Sequence, residues 1–169
     1  MNQAASKRLP WLDRWTQPSL EQLLQPLSDQ QRSIAERLIE GMKKFEGVHW
    51  HFAWHGRAWK WTLQFDLYDA EGGFIGPIAY IVPNPETFEF CMPLKEQTIE
   101  QVNLKRLQRF VRDGLRAAKC AVTLHWAVFH PTAGTETEQL LDLVKRVHKV
   151  LYHQQYQQAQ EAQAESEAE

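Results

Sequence analysis

His49 and His51 stand two residues apart in a stretch where Val48, Trp50, Phe52 and Trp54 alternate with His49, His51, Ala53 and His55. An extended strand with that spacing carries both imidazoles on one face. Such a pair, joined by one further ligand, is a way to hold zinc or iron. His125, on the outward side of a later strand, is the expected third ligand. His55, Gln64, Asp66 and Cys91 are expected to share the same face. The competing reading is a wet sheet face of ordinary polar side chains, because no metal motif of fixed spacing is present.

Other chemistry has less to stand on. The two cysteines, Cys91 and Cys120, have no CxxC spacing and read as free thiols of a reducing cytoplasm. A cysteine nucleophile would need a nearby His and an orienting group, and His125 beside Cys91 is the pairing to look for. Gly72-Gly73 is a hairpin turn rather than a strand-to-helix turn, so it does not cradle phosphate. Lys105, Arg106, Arg109, Arg112, Arg116 and Lys119 form a basic stripe. Aromatics do not alternate with these charges, so a solvated helix face is expected, with Arg109 and Arg112 the residues to meet an acidic partner. Trp50, Trp54, Trp59 and Trp61 are expected on the inward face, where they pack the core rather than stack on a ligand.

These residues depend on the elements that carry them. Leu20, Leu23 and Leu24 mark a short helix that Pro26 breaks. Ser28 and Gln31 form a capping-box pattern. Ile34, Leu38, Met42 and Phe45 then recur at helical spacing, predicting a helix from Asp29 to Glu46 with Gly47 as its stop. The period changes to two at Val48. Trp59, Trp61, Leu63, Phe65 and Leu67 alternate after the Gly56-Arg57 turn. Further strands are expected over Phe74 to Val82, irregular at Gly76-Pro77, and over Thr87 to Met92. A helix over Leu104 to Lys119, a strand over Ala121 to Phe129 and a last helix capped by Thr135 or Thr137 complete the order. In that strand Val122, Leu124, Trp126 and Val128 are expected to face inward.

The fold class that follows is α+β, an antiparallel sheet covered on one face by helices, with function on the other face. Residues 1–16 read as an irregular lead in which Trp11, Leu12 and Trp15 fold back as an anchor. Residues 17–153 read as one domain, and 154–169 as a polar tail of Gln, Ala and Glu without an apolar stripe. The 169 residues are 43% hydrophobic with seven Trp, enough for a core without disulfides or a structural metal. A net charge of −2 gives no broad attraction to nucleic acid or anionic lipid. No apolar run is long enough to span a bilayer. Lys7 and Arg8 have no apolar segment behind them, unlike a secretory signal. A cytoplasmic location is the expectation.

From about Ser19 to Leu151 the chain resembles the YdhG-like proteins and their uncharacterised relatives. Three stretches carry the resemblance: His49-Trp50-His51-Phe52-Ala53-Trp54-His55-Gly56 with Trp59-Lys60-Trp61; Tyr80-Ile81-Val82-Pro83 leading to Phe88-Glu89-Phe90-Cys91-Met92-Pro93-Leu94; and Leu104-Lys105-Arg106-Leu107-Gln108-Arg109-Phe110-Val111-Arg112. The resemblance implies a frataxin-like helix–sheet–helix sandwich, and one branch of the family is associated with iron delivery. The chain departs from the family where His55-Gly56 replaces the usual Met-Pro. It also lacks a frataxin-like acidic ridge, since Glu36, Glu40 and Glu46 are scattered among Arg37, Lys43 and Lys44. Patterns of apolar residues support a fold better than an activity. With no recognisable catalytic set, the expected function is a small intracellular, non-enzymatic binding or adaptor module without a cofactor. It would take a protein or small-molecule partner on its exposed sheet face. The alternative is binding or delivery of iron or zinc through the His49/His51 strand face.

Overall fold

The structure, a computed structural model, describes residues 9–167. Met1 to Arg8, including the Lys7-Arg8 pair, and the last two residues lie outside them. Helices α1 (Leu20–Leu24) and α2 (Asp29–Met42) each start with a capping box, Ser19 with Gln22 and Ser28 with Gln31. In each box the hydroxyl accepts from the glutamine backbone N–H, and the glutamine side chain accepts from the serine N–H. These reciprocal bonds satisfy donors that a helix start leaves free. Helix α2 stops at Met42 instead of Glu46. Lys44 and Phe45 bond back three residues, to Gly41 and Met42, which tightens the last turn before Gly47.

The strands are β1 (Val48–Trp54), β2 (Trp61–Tyr68), β3 (Phe74–Val82), β4 (Glu89–Lys95), β5 (Lys119–Ala121) and β6 (Leu124–Phe129). A single helical turn, α3 (Gly56–Trp59), joins β1 to β2. The α+β architecture is a six-stranded antiparallel sheet in the order β1-β2-β3-β4-β6-β5. Helices α4 (Glu96–Gln101) and α5 (Arg109–Arg116) cross from β4 to the terminal hairpin, and α6 (Gly134–Glu167) follows. Helices α2 and α6 pack together, and α4, α5 and α6 touch β4, β6 and β3 respectively. The sheet face toward them is apolar over its centre. Leu63, Phe65, Leu67, Ile81, Phe90, Met92 and Phe129 are all fully buried there, against Leu38, Met42, Leu140 and Val144 from the helices.

Further elements differ from the periodicity reading, and β4 covers Glu89–Lys95 where a strand over Thr87 to Met92 was expected. The helix expected over Leu104–Lys119 is a 3-10 turn at Leu104–Arg106 followed by α5, because Lys119 leaves the helix to pair with Trp126. The strand expected over Ala121–Phe129 is a hairpin. Val122, a β-branched residue with φ of +60° and 95% exposed, makes its turn. Helix α6 starts at Gly134 without a Thr135 or Thr137 cap. The Glu136 carboxylate instead accepts from the N–H groups of Thr132 and Ala133, and Thr137 Oγ1 donates to the Ala133 carbonyl. Helix α6 runs on to Glu167, as the helix-favouring Ala and Glu of the segment after Tyr152 allow. In the lead, Trp11 is the buried anchor, whereas Leu12 and Trp15 are exposed.

The β2–β3 ladder contains two irregularities. Ala79 lies opposite Phe65 but Pro77 opposite Asp66, so Ile78 is an extra residue; Ile75 is skipped in the same way. Such bulges bend and twist the strand that carries them. Strand β3 then pairs with β4 only over Tyr80–Val82. Beyond that point Gly76-Pro77 and Pro93-Leu94-Lys95 border a cleft of about 260 Å³. Pro77 and Pro93 have no N–H to donate, so an open seam at this point leaves fewer ladder donors unpaired than another residue pair would.

Gly47 is the joint between α2 and β1. Its φ is +72°, its carbonyl accepts from Tyr68 N at 2.8 Å, and a Cβ there would collide with the Tyr68 carbonyl oxygen. Both the backbone conformation and the close approach exclude a side chain. Gly47→Ala is expected to lower stability by about 2 kcal/mol or more in urea unfolding. A change within about 0.5 kcal/mol would show that the joint relaxes freely.

Candidate functional site

The candidate site is the sheet face opposite the helices. Register decides which side chains share it, because directly opposed residues of an antiparallel pair point the same way. Strand β1 places His49 opposite Asp66, His51 opposite Gln64 and Ala53 opposite Thr62. Strand β3 adds Tyr80 opposite Gln64, and β4 adds Cys91 opposite Tyr80. Strand β6 adds Trp126 opposite Pro93 and Val128 opposite Cys91.

A polar row crosses this face. Asp66, only 5% exposed, accepts from Gln64 Nε2 at Oδ1, 2.8 Å away, and its Oδ2 lies 3.4 Å from His51 Nδ1. Gln64 Oε1 is 2.9 Å from His55 Nε2. A carboxylate only accepts, so the Gln64 NH2 faces Asp66 and its carbonyl oxygen faces His55. His55 therefore donates from Nε2. The row runs His51, Asp66, Gln64, His55, with half-exposed His51 at the open end. His49 shares the face, but its ring packs edge-on against Tyr68, centroids 5.4 Å apart.

Beside the row lies an aromatic cluster. Trp59, Tyr80 and Trp126 are mutually in contact with centroids 5.3 to 5.8 Å apart, and His55 meets Trp59 and Tyr80 edge-on. Tyr80 and Trp126 also line the cleft between β3 and β4. Trp59 reaches this face because α3 interrupts the two-residue period. His55 N donates to Lys60 O, closing the loop, and Lys60 takes a φ of +54° before β2 resumes. Trp59 was expected inward with Trp61, but alternation does not carry across a helical turn. The Trp59 carbonyl, in turn, accepts from Trp11 Nε1 and from Thr62 Oγ1, which fixes the turn from both sides.

The face thus brings together His49, His51, His55, Gln64, Asp66 and Cys91, as expected. Cys91, however, is fully buried there, and burial, with Glu89 adding to it, pushes its thiol pKa far up. It is not a nucleophile in this setting. His125 is not on this face. Its strand partner is Leu94, a buried core residue, and its ring lines a cavity under α4 and α5. The phase of β6 is the reverse of the one expected, because the register sets Phe129 against buried Phe90 and Ala127 against buried Met92, and Trp126 and Val128 therefore face out. His49, His51 and His125 therefore do not converge on one ion, and His125 does not meet Cys91. Among the described residues no group of three or more His, Cys, Asp and Glu is placed to hold a metal. Of the basic stripe, Arg109 is exposed and pairs with Asp113 at 3.3 Å, while Arg112 lines the cavity with His125 and its Nε is buried.

Trp59, Tyr80 and Trp126 are the site residues that sequence reasoning missed. The signal for Tyr80 was available, since a regular hairpin from Gln64 places it on the same face. The signal for Trp126 was not, because Leu124, Trp126 and Val128 are as apolar as Ala127 and Phe129 on the other face of β6.

Burial raises the Tyr80 pKa above the ordinary tyrosine value, with a further contribution from the Asp66 carboxylate. The folded chain then keeps this proton at a pH where the unfolded chain has lost it. Stability from this source is complete below about pH 10 and is lost as pH rises beyond it. Tyr80→Phe is expected to flatten that part of the urea-midpoint profile relative to wild type. Asp66→Asn is expected to lower the Tyr80 pKa only partly, because burial is the larger cause. Superimposable wild-type and Tyr80→Phe profiles would contradict the assignment.

No family model matches the chain, and neither a curated protein nor a solved structure does.

Proposed function

We propose that the chain is a non-enzymatic binding module that takes its partner on the outer sheet face. The observation that supports this reading is the polar row His51–Asp66–Gln64–His55 lying beside the Trp59–Tyr80–Trp126 cluster. A planar group with hydrogen-bonding edges suits both halves, its plane against one indole and its edge against the row. The Asp66–Gln64–His55 part of the row is held by its own hydrogen bonds before any ligand arrives, so little ordering cost falls on binding there. No side chain on this face combines exposure, a nucleophilic atom and an adjacent base, which speaks for binding rather than covalent chemistry. No described helix is long and apolar enough to cross a membrane.

The alternative, iron or zinc held by the His49/His51 strand, keeps one supporting contact. Asp66 Oδ2 lies 3.4 Å from His51 Nδ1, so a carboxylate stands where His125 was expected to serve. Kinship with YdhG-like proteins rests on the three sequence stretches quoted above.

Two measurements separate the readings. In titrations with adenine and with nicotinamide followed by NMR, the indole Nε1–H signals of Trp59 and Trp126 are expected to shift together. Shifts confined to other surfaces would contradict the proposed face. Metal analysis of the purified chain is expected to give no stoichiometric iron or zinc. A stoichiometric metal that disappears in the His49→Ala/His51→Ala pair would overturn the binding-module reading in favour of the metal one.

A further inference from the structure

Cys120 is the exposed thiol of the chain, and its direct cross-strand partner is His125. Strand pairing rather than loop geometry holds the two together, with Sγ 3.7 Å from His125 Nε2. The thiol also reaches the Val122 carbonyl at 3.4 Å, so it sits between an imidazole and the tight turn that ends the edge strand. His125 has a second role in the geometry, as part of the wall of a cavity of about 350 Å³.

That cavity has a definite chemistry. Lys105, Arg112 and Arg116 border it, opposed by Glu96 and Glu100, over apolar surface from Ile99 and Leu115. Arg112 Nε is buried and has no hydrogen-bond partner among the described residues. The Nε itself is closed off, and what Arg112 brings to the cavity wall, together with Lys105 and Arg116, is positive charge that an incoming anion would meet. Three cations against two carboxylates leave the rim net positive beside the thiol–imidazole pair.

We infer that Cys120 is a thiol–disulfide exchange site that accepts anionic, low-molecular-weight disulfides, their acidic group seated in the Arg112 cavity. In the exchange, the Cys120 sulfur attacks one sulfur of the disulfide R–S–S–R. His125 Nε2 takes the thiol proton as the new Cys120–S–S–R bond forms. The old S–S bond breaks, and its electron pair leaves with RS⁻. One disulfide is consumed and one formed, so the Cys120 sulfur is oxidised and the departing sulfur reduced. Cys91, buried and with its thiol pKa raised, takes no part.

The test uses the full chain and two probes, the dianionic dithiobis(nitrobenzoate) and the dicationic cystamine, each rate normalised to that of free cysteine. The native chain is expected to release one equivalent of thionitrobenzoate, and Cys120→Ser none until denaturant exposes Cys91. His125→Ala is expected to slow the reaction about tenfold. His125→Gln, which keeps a hydrogen-bonding side chain but no comparable base, is expected to be slow as well. The preference for the anionic probe is expected to be lost in Arg112→Gln/Arg116→Gln. Cys91 silence in each variant reports that the fold is intact. If a His125 variant exposes Cys91, the charge comparison in the arginine pair decides instead. Rates within twofold of wild type for both intact His125 variants would overturn the proton-acceptor role. Equal normalised rates for the two probes on the native chain would overturn the anionic specificity, and with it the site.

Discussion

Asp66 sits on a sheet face that has no packed helix over its His51 end, yet it is almost entirely removed from water. A carboxylate so placed must be paired or hydrogen-bonded, and stripping its partners would cost about 3–5 kcal/mol. Gln64 supplies a hydrogen bond to Oδ1, and His51 Nδ1 stands 3.4 Å from Oδ2. Once Asp66 is placed, the Gln64 amide has one orientation, and His55 must present a donor to it. The polarity of the whole row therefore follows from one buried charge. The order is transmitted along strands rather than loops, which keeps the side chains fixed relative to one another.

The aromatic half of the face depends on a different constraint. Bulges in β3 and the proline pair Pro77 and Pro93 open the sheet beyond Tyr80. Tyr80 and Trp126 consequently border a cleft rather than a continuous ladder. Trp59 completes the cluster from the α3 turn, held there by the buried Trp11 of the lead through a 3.1 Å hydrogen bond to its carbonyl. A segment distant in sequence thereby braces a residue of the site.

Much of the frame was legible from residue patterns, and the reasons are local. Ser28 and Gln31 announce the start of α2, and strict alternation in Val48–Trp54 and Trp61–Leu67 assigns both strands to their faces. From that alternation His49, His51, Gln64 and Asp66 follow as neighbours. Where the pattern misled, a short turn lay between two alternating stretches. Gly56–Trp59 coils into one helical turn and rotates Trp59 to the outer face. Val122 adopts a left-handed conformation that its type rarely takes, and the register of β6 on β4 puts His125 on the helix side and Trp126 on the other. The expected turn at Gly56-Arg57 stopped short of Trp59, which the helical turn includes, and Val122, without a hairpin dipeptide such as Asn-Gly, read as strand. The partial pairing of β3 with β4 is a tertiary outcome that the two prolines allow without specifying.

The two faces of the terminal hairpin also differ in chemistry, Trp126 serving the outer site while His125 and Cys120 serve the helix side. What joins the account together is the fixed polarity of the outer row. Nitrogen-15 NMR of the histidine rings tests it most directly, because it identifies which ring nitrogen carries the proton. The account predicts that His55, when neutral, is protonated at Nε2, and that this preference weakens in Asp66→Ala, where the Gln64 amide is free to turn. Neutral His55 protonated at Nδ1 in the wild-type chain would contradict it, because Gln64 would then be donating to His55 and Asp66 would not be setting the row.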